Sequence, residues 1–263
     1  MKCVIFAGGK GTRMNAYDDP TPKPLVTIGG KPIIWHIIKS YQHYGITDFI
    51  ICLGYHQEKF KEYFSNLLLE ENDIEISYKN REIKVLKSDN KELNITLIDT
   101  GPDTLTGGRL KRVEKYITDD EFFLTYGDAV SDVDINKLYE FHKKKNKLIT
   151  ITSIPRIESF GIIQSDDNDN VVSFLEKKNK DDNRINAGFM VVNKKVLDYL
   201  NPDSGAFETE ILERLSKEKE VAAYKFDGFW QCMDYRRDRD ILEGLIRDGK
   251  ALWMKWEEKY ENN

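Results

Sequence analysis

The chain has 263 residues, of which 40% are hydrophobic and 32% charged, with a formal net charge of −5. That size suits one large α/β domain or two small ones with a sizeable core. The acidic balance argues against wrapping nucleic acid, which needs a basic face, and no apolar run reaches membrane-spanning length.

Strand and helix signals alternate along the first half. KCVIFAG reads as a buried strand that runs into the glycine-rich, cationic turn FAGGKGTRM. Gly8, Gly9 and Gly11 would let backbone N–H groups approach phosphate oxygens, with Arg13 adding charge. The stretch is neither a Walker A loop nor a GxGxxG, and a plain strand-to-helix turn explains it equally well. TPKPL follows. There Lys23 lies between Pro22 and Pro24, whose fixed φ favours an extended, aimed backbone; a surface-loop lysine is the alternative.

KPIIWHIIKSYQHYG predicts an amphipathic helix, with Pro32 at its start and Gly45 at its C-cap. FIICLGY predicts the next strand and HQEKFKEYFSNLLLEEN a second helix. IEISY and NITLIDT read as strands on either side of a polar, lysine-rich stretch, 79–93, placed at the surface. GGRLKRVEKYI predicts a helix opened by glycines. FFLTYGD predicts a strand, and DINKLYEFHKKKN a helix with Asp134 as N-cap.

This rhythm argues for a mostly parallel sheet covered by helices. After residue 148 it changes. LITITSI, FGIIQ, VVSFLEK and AGFMVVN follow closely and predict an antiparallel or mixed part, before two late helices in FETEILERLSKE and YRRDRDILEGLIRDG. No linker or repeat interrupts the chain. The expectation is one domain, 1–263, with a nucleotide-binding half at about 1–147 and an acceptor-binding half at about 148–263.

Asp128 directly follows an apolar and aromatic strand, where a hard oxygen donor suits Mg²⁺. Asp234 closes GFWQCMD and would complete a two-carboxylate site. Asp132 and Asp134 form a DxD, which also fits a helix cap with a solvated acid. Trp230 reads as core packing. Cys3, Cys52 and Cys232 lack CxxC spacing and predict reduced thiols in a cytoplasmic protein. The four histidines show no paired-ligand spacing for zinc.

Taken in order, GGKGTRM, PKP, GGRLKRV, YGD, LEK, INAG and FWQCMD resemble the sugar-1-phosphate nucleotidyltransferases, and within them the glucose-1-phosphate cytidylyltransferases. The resemblance runs from Met1 to about Lys255. It implies a Rossmann-like three-layer fold around a mixed, mostly parallel sheet, and homo-oligomeric assembly. It also implies Mg²⁺-dependent transfer of a cytidylyl group from CTP to a sugar 1-phosphate, giving a CDP-sugar and pyrophosphate.

Residue by residue, the resemblance implies that Arg13 and Lys23 neutralise the triphosphate. Gly8, Gly9, Gly11 and Thr12 would line the nucleotide. Asp128 and Asp234 would hold Mg²⁺, and Lys177 would grip the sugar phosphate. Glu176 and Asn186, with Gly188, would meet the sugar. Thr106, Gly107 and Arg109 would lie near the base or its phosphates.

Some positions depart from the family pattern: Glu176-Lys177-Lys178 for EKP, Arg184-Ile185-Asn186-Ala187-Gly188 for WINGG, YGDA for YGDG and WQCMD for WQPMD. Arg184 adds charge on the acceptor side and leaves a different phosphorylated acceptor open. A DxD glycosyltransferase and a non-catalytic nucleotide-binding protein are the readings from other classes. The tail ALWMKW and the segment 79–93 each read as a contact surface, or as a packed terminus and a solvated loop respectively.

Overall fold

A computed structural model describes residues 1–9, 11, 21–87, 92–155, 162–166, 170–175 and 184–257. Seven strands form the central sheet: β1 (Cys3–Phe6), β2 (Asp48–Leu53), β3 (Asn94–Asp99), β4 (Glu121–Tyr126), β5 (Ile149–Pro155), β6 (Arg184–Asn193) and β7 (Val221–Lys225). Their order is β7-β5-β6-β4-β1-β2-β3. Within it only β6 runs against its neighbours, antiparallel to both β4 and β5; the other pairings are parallel.

Helices cover both faces because the strands are apolar on both. In β1, Cys3 and Ile5 point into one core and Val4 and Phe6 into the other. The first core takes residues of α1 (Ile33–His43), α2 (Gln57–Glu70), α4 (Ile135–Lys145) and α6 (Arg236–Arg247). The second takes Leu110 of α3 (Thr106–Arg112), Val196 and Leu197, and Leu215 of α5 (Glu213–Lys217). The three-layer expectation holds. Pro32 stands at the N-cap of α1, and Gly45, just past its end, takes the left-handed φ of 83° expected of it. Asp134 caps α4, accepting a hydrogen bond from the Lys137 N–H at 3.0 Å.

Three expectations need correction. The polar stretch after residue 79 contains a strand, Glu82–Lys87, paired with Asp73–Ser77 in a hairpin that leaves Ile76, Tyr78, Ile83 and Leu86 exposed. Strands Ile162–Ser165 and Val171–Leu175 pair with each other and not with the central sheet. The glycine-opened helix stops at Arg112 and passes into a 3₁₀ turn, Glu114–Tyr116. In the tail Trp253 packs into the domain while Leu252 stays exposed. Trp253 is 1% exposed, stacks on Phe229 and donates its indole N–H to His36. No helix among the described residues is long and apolar enough to cross a membrane.

Candidate active site

The chain runs outward from β1 to β2 and β3, then returns to place β4 on the other side of β1. That reversal opens a crevice beyond the carboxyl ends of β1 and β4, the place where open α/β sheets bind ligands. A cavity of about 220 Å³ lies there, lined by Gly8, Gly9, Gly11, Lys23, Thr106, Arg109, Tyr126 and Asp128, among others. A larger groove of about 320 Å³, lined by apolar residues such as Trp35, Phe64 and Leu97, lies on the helix layer over β3. It has no comparable set of charges.

The central feature is an acid pair around one cation. The Lys23 ammonium donates to Asp128 Oδ2 at 2.7 Å and also to Asp234 Oδ1. Burial works against this ammonium's charge, but Asp128 and Asp234 prevail and hold its pKa above the ordinary value. Lys23 opens a 3₁₀ turn, Lys23–Leu25, and is not extended as the prolines suggested. Pro24 is buried, and Gly11, at a φ of 59°, lies where a Cβ would come within 3.1 Å of the Lys23 Cβ.

Asp234 reaches Asp128 through a short ladder. Trp230–Cys232 pairs antiparallel with Ala129–Ser131, and the Met233 N–H continues it by donating to the Asp128 carbonyl at 2.8 Å. The buried Asp238 fixes the next turn. Its Oδ2 accepts from the N–H groups of Asp234 at 2.9 Å and Tyr235 at 2.8 Å. Trp230 is half-buried and ties the ladder to β6 through its indole N–H and the Ala187 carbonyl at 2.8 Å, a packing role as expected. Beside the acids, burial, together with Asp234, Asp238 and Asp128, pushes the Cys232 thiol up to about 11. It stays protonated and unreactive near neutrality.

The acid pair fits a hard divalent cation, because one positive group already satisfies a carboxylate from each side. Mg²⁺ is commonly held by one or two carboxylates plus phosphate oxygens, so a third protein ligand is not required. Among the described residues no third His, Cys, Asp or Glu joins the pair. The DxD acids serve the fold. Asp132 Oδ1 accepts from the Phe229 N–H at 2.7 Å, and Asp134 is the α4 cap.

Thr106 and Arg109 line the cavity, and Gly107 lies beside them without lining it. Arg109 is 4% exposed, and its two terminal nitrogens donate to the carbonyls of Gly8, Leu53, Gly101 and Pro102 and to Thr100 Oγ1. The guanidinium fits between Gly8 and Gly54, where any Cβ would collide with it. Gly8 is therefore explained by packing on Arg109. Gly107 gives its N–H to the Gly205 carbonyl at 2.9 Å. Gly9 is exposed, with open space around it.

On the other wall, the Tyr126 hydroxyl donates to Glu208 Oε1, and the Thr106 hydroxyl to Glu208 Oε2 at 2.9 Å. Burial and then Glu208 raise the Tyr126 phenol further, so it remains a donor. Asn186 Oδ1 accepts from the Gly188 N–H at 2.9 Å. Gly188 has a φ of 82°, and a Cβ there would strike the Tyr126 ring. Arg184 spends its charge locally, on Asp227 at 2.8 Å and the carbonyls of Ser153 and Phe226. Thr12, Arg13, Glu176 and Lys177 lie outside the described residues.

Glu208 and Asp238 were not singled out in the sequence. Asp238 carries a signal, since it lies four residues after Asp234 at the start of an amphipathic helix, where acids cap. Glu208 lies in the stretch Gly205-Ala206-Phe207-Glu208-Thr209-Glu210, which departs from the family's typically Trp- and Gln-containing pattern, but nothing in that stretch marks it as a partner of Tyr126 and Thr106.

The geometry finds company among known proteins. A family model described as nucleotidyl transferase matches residues 2–235. A glucose-1-phosphate cytidylyltransferase of Salmonella typhi is 45% identical over 258 residues, covering 98% of this chain and 100% of the relative. The enzyme of the same name from Salmonella typhimurium gives the same figures. Among solved structures, HddC from Yersinia pseudotuberculosis shares the fold, with a TM-score of 0.65 at 22% identity over 93% of this chain and 99% of that one. A family model matching residues 2–235 and relatives 45% identical over 98% of the chain show that this chain belongs to the nucleotidyl transferase family.

Proposed function

We propose that this protein transfers the cytidylyl group of CTP to a sugar 1-phosphate, glucose 1-phosphate in the first instance, with Mg²⁺, giving a CDP-sugar and pyrophosphate. The observation that carries the reading is the convergence of Asp128 and Asp234 on one cation at the switch-point cavity. Its substrate assignment draws on the 45% identical relatives named for that reaction.

In the proposed step a phosphate oxygen of the sugar 1-phosphate forms a bond to the α-phosphorus of CTP. The bond to the bridging oxygen breaks in line, and pyrophosphate departs. The nucleophile is already anionic, so no general base is needed. What the reaction needs is alignment and charge neutralisation. Mg²⁺ held by Asp128 and Asp234 would neutralise the phosphates that meet at the α-phosphorus. Lys23, freed from the acids, reaches the triphosphate. Asp238 keeps the Asp234 turn rigid, and Arg109 keeps the Gly8 and Gly101 loops in place around the nucleotide. Arg13, Lys177 and Glu176 take the phosphate and sugar contacts that the family pattern assigns them. Asn186 meets a sugar hydroxyl.

The two halves, 1–147 and 148–263, serve as nucleotide and acceptor sides of one domain, and the chain works as a homo-oligomer in the cytoplasm. Because Arg184 is tied to Asp227, its charge does not argue for an acceptor other than a neutral sugar bearing one phosphate. The commitment of Asp132 and Asp134 to the fold disfavours a DxD glycosyltransferase.

The test incubates protein and Mg²⁺ with each of the four NTPs and glucose 1-phosphate, measuring pyrophosphate and product mass. The reading predicts pyrophosphate and CDP-glucose with CTP. No pyrophosphate with CTP and any sugar 1-phosphate overturns it.

A further inference from the structure

Glu208 is a carboxylate behind the wall of a cavity proposed to hold two anions. Among the described residues it meets hydroxyls and no basic side chain. Placing another negative charge there works against substrate binding, so packing alone is a poor account of it. It also opens a π-helical stretch, Glu208–Leu212, in which the Glu213 N–H bonds the Glu208 carbonyl. Such wide turns are rare and occur mostly at functional sites.

Its hydrogen bonds join two parts of the cavity. Tyr126 ends β4, two residues before Asp128, and its ring lies where a Gly188 Cβ would strike it, at the turn whose Gly188 N–H donates to Asn186 Oδ1. Thr106 opens α3, and its oxygen accepts from the Phe207 N–H at 2.8 Å. Tyr126 and Thr106 both donate to Glu208, and the Tyr126 ring backs the Gly188 turn that Asn186 holds. Each hydroxyl gives its only proton to the carboxylate, so both are held in one orientation. Only an ionised carboxylate can accept from both at once. An amide has a single acceptor oxygen, and its NH₂ would face one of the two hydroxyl protons.

We propose that Glu208 is a positioning residue that sets the acceptor-side Gly188–Asn186 turn, through the Tyr126 ring packed on it, and the nucleotide-side Thr106 with a single carboxylate. This rests on the cytidylyl-transfer reading for the identity of the two substrates. Glu208 touches neither substrate; it decides the polarity and placement of the groups that do.

The test compares wild type, Glu208→Gln, Tyr126→Phe, Thr106→Val and the double variant Glu208→Gln/Tyr126→Phe. It measures KM for CTP and for glucose 1-phosphate, kcat and Tm. Hydrogen bonds to charged groups are the stronger class, so Glu208→Gln is expected to raise both KM values about tenfold with a smaller change in kcat. Tyr126→Phe should raise chiefly the glucose 1-phosphate KM, and Thr106→Val chiefly the CTP KM. The double variant should match Glu208→Gln in its glucose 1-phosphate KM, because both changes cut one connection. Unchanged KM values with a lowered Tm would make Glu208 merely structural and overturn the proposal, as would effects that multiply in the double variant. Should wild type release no pyrophosphate, the function reading fails on its own, and calorimetric Kd values for CTP and glucose 1-phosphate carry the same comparison.

Discussion

The ammonium of Lys23 stands between Asp128 and Asp234, residues 106 positions apart in the chain, and donates to both. Two carboxylates facing each other need a cation between them. Lys23 fills that need in the structure. Under the proposed reading a divalent ion would take its place between the acids, and the lysine would serve the triphosphate.

The roles of these residues can be separated by substitution. Asp128→Asn and Lys23→Ala are each expected to lose roughly a hundredfold in pyrophosphate release, the usual cost of one charge-stabilising contact, about 3 kcal/mol. Circular dichroism should show the fold intact. Turnover near wild type in either variant removes that residue from the mechanism.

Gly8→Ala tests the packing account of the first loop. The new Cβ runs into an Arg109 guanidinium that cannot move aside, because the carbonyls of Gly8, Leu53, Gly101 and Pro102 hold it. Overpacking of this kind costs about 1–3 kcal/mol. At roughly 2–4 °C per kcal/mol for a chain of this size, calorimetry should show a Tm lower by several degrees. Gly9→Ala, with open space around its Cβ, should show little change.

Stability should fall with mild acid. Burial lowers the pKa of both His36 and His142 from the ordinary 6.5. His36 bonds the Ile28 carbonyl through Nε2 and accepts the Trp253 N–H at Nδ1, so its neutral form suits the fold. Below about pH 6.5 the unfolded chain binds protons more readily than the native one. The contribution is thus fully present above that pH and is lost as pH falls toward the depressed native values. Urea unfolding at pH 7.5 and pH 5.5 should give a lower free energy at the acid point. His36→Gln should flatten that slope, and an unchanged slope refutes the assignment.

The architecture was legible because its signals are local. Ile33, Ile34, Ile37, Ile38 and Tyr41 recur at helical spacing, and all are buried in α1. Asp134 has the chemistry of a cap and is one. Gly8 and Gly11 were legible as special positions, but a sequence cannot say that Gly8 makes room for a guanidinium 101 residues away. The hairpin strand Glu82–Lys87 was hidden by its charges and by apolar residues that stay exposed. The Asp128–Asp234 pairing depends on Ala129–Ser131 meeting Trp230–Cys232, a long-range register with no local signature. Only the order of motifs pointed to it. Glu208 was missed because its partners come from α3 and β4, and nothing near residue 208 announces them.

A crystal structure with CTP and Mn²⁺, read by anomalous scattering, tests the exchange most directly. The account predicts a metal peak coordinated by both Asp128 and Asp234, with the Lys23 ammonium moved onto a phosphate. A peak held by phosphates alone, with Lys23 still bridging the two acids, would contradict it.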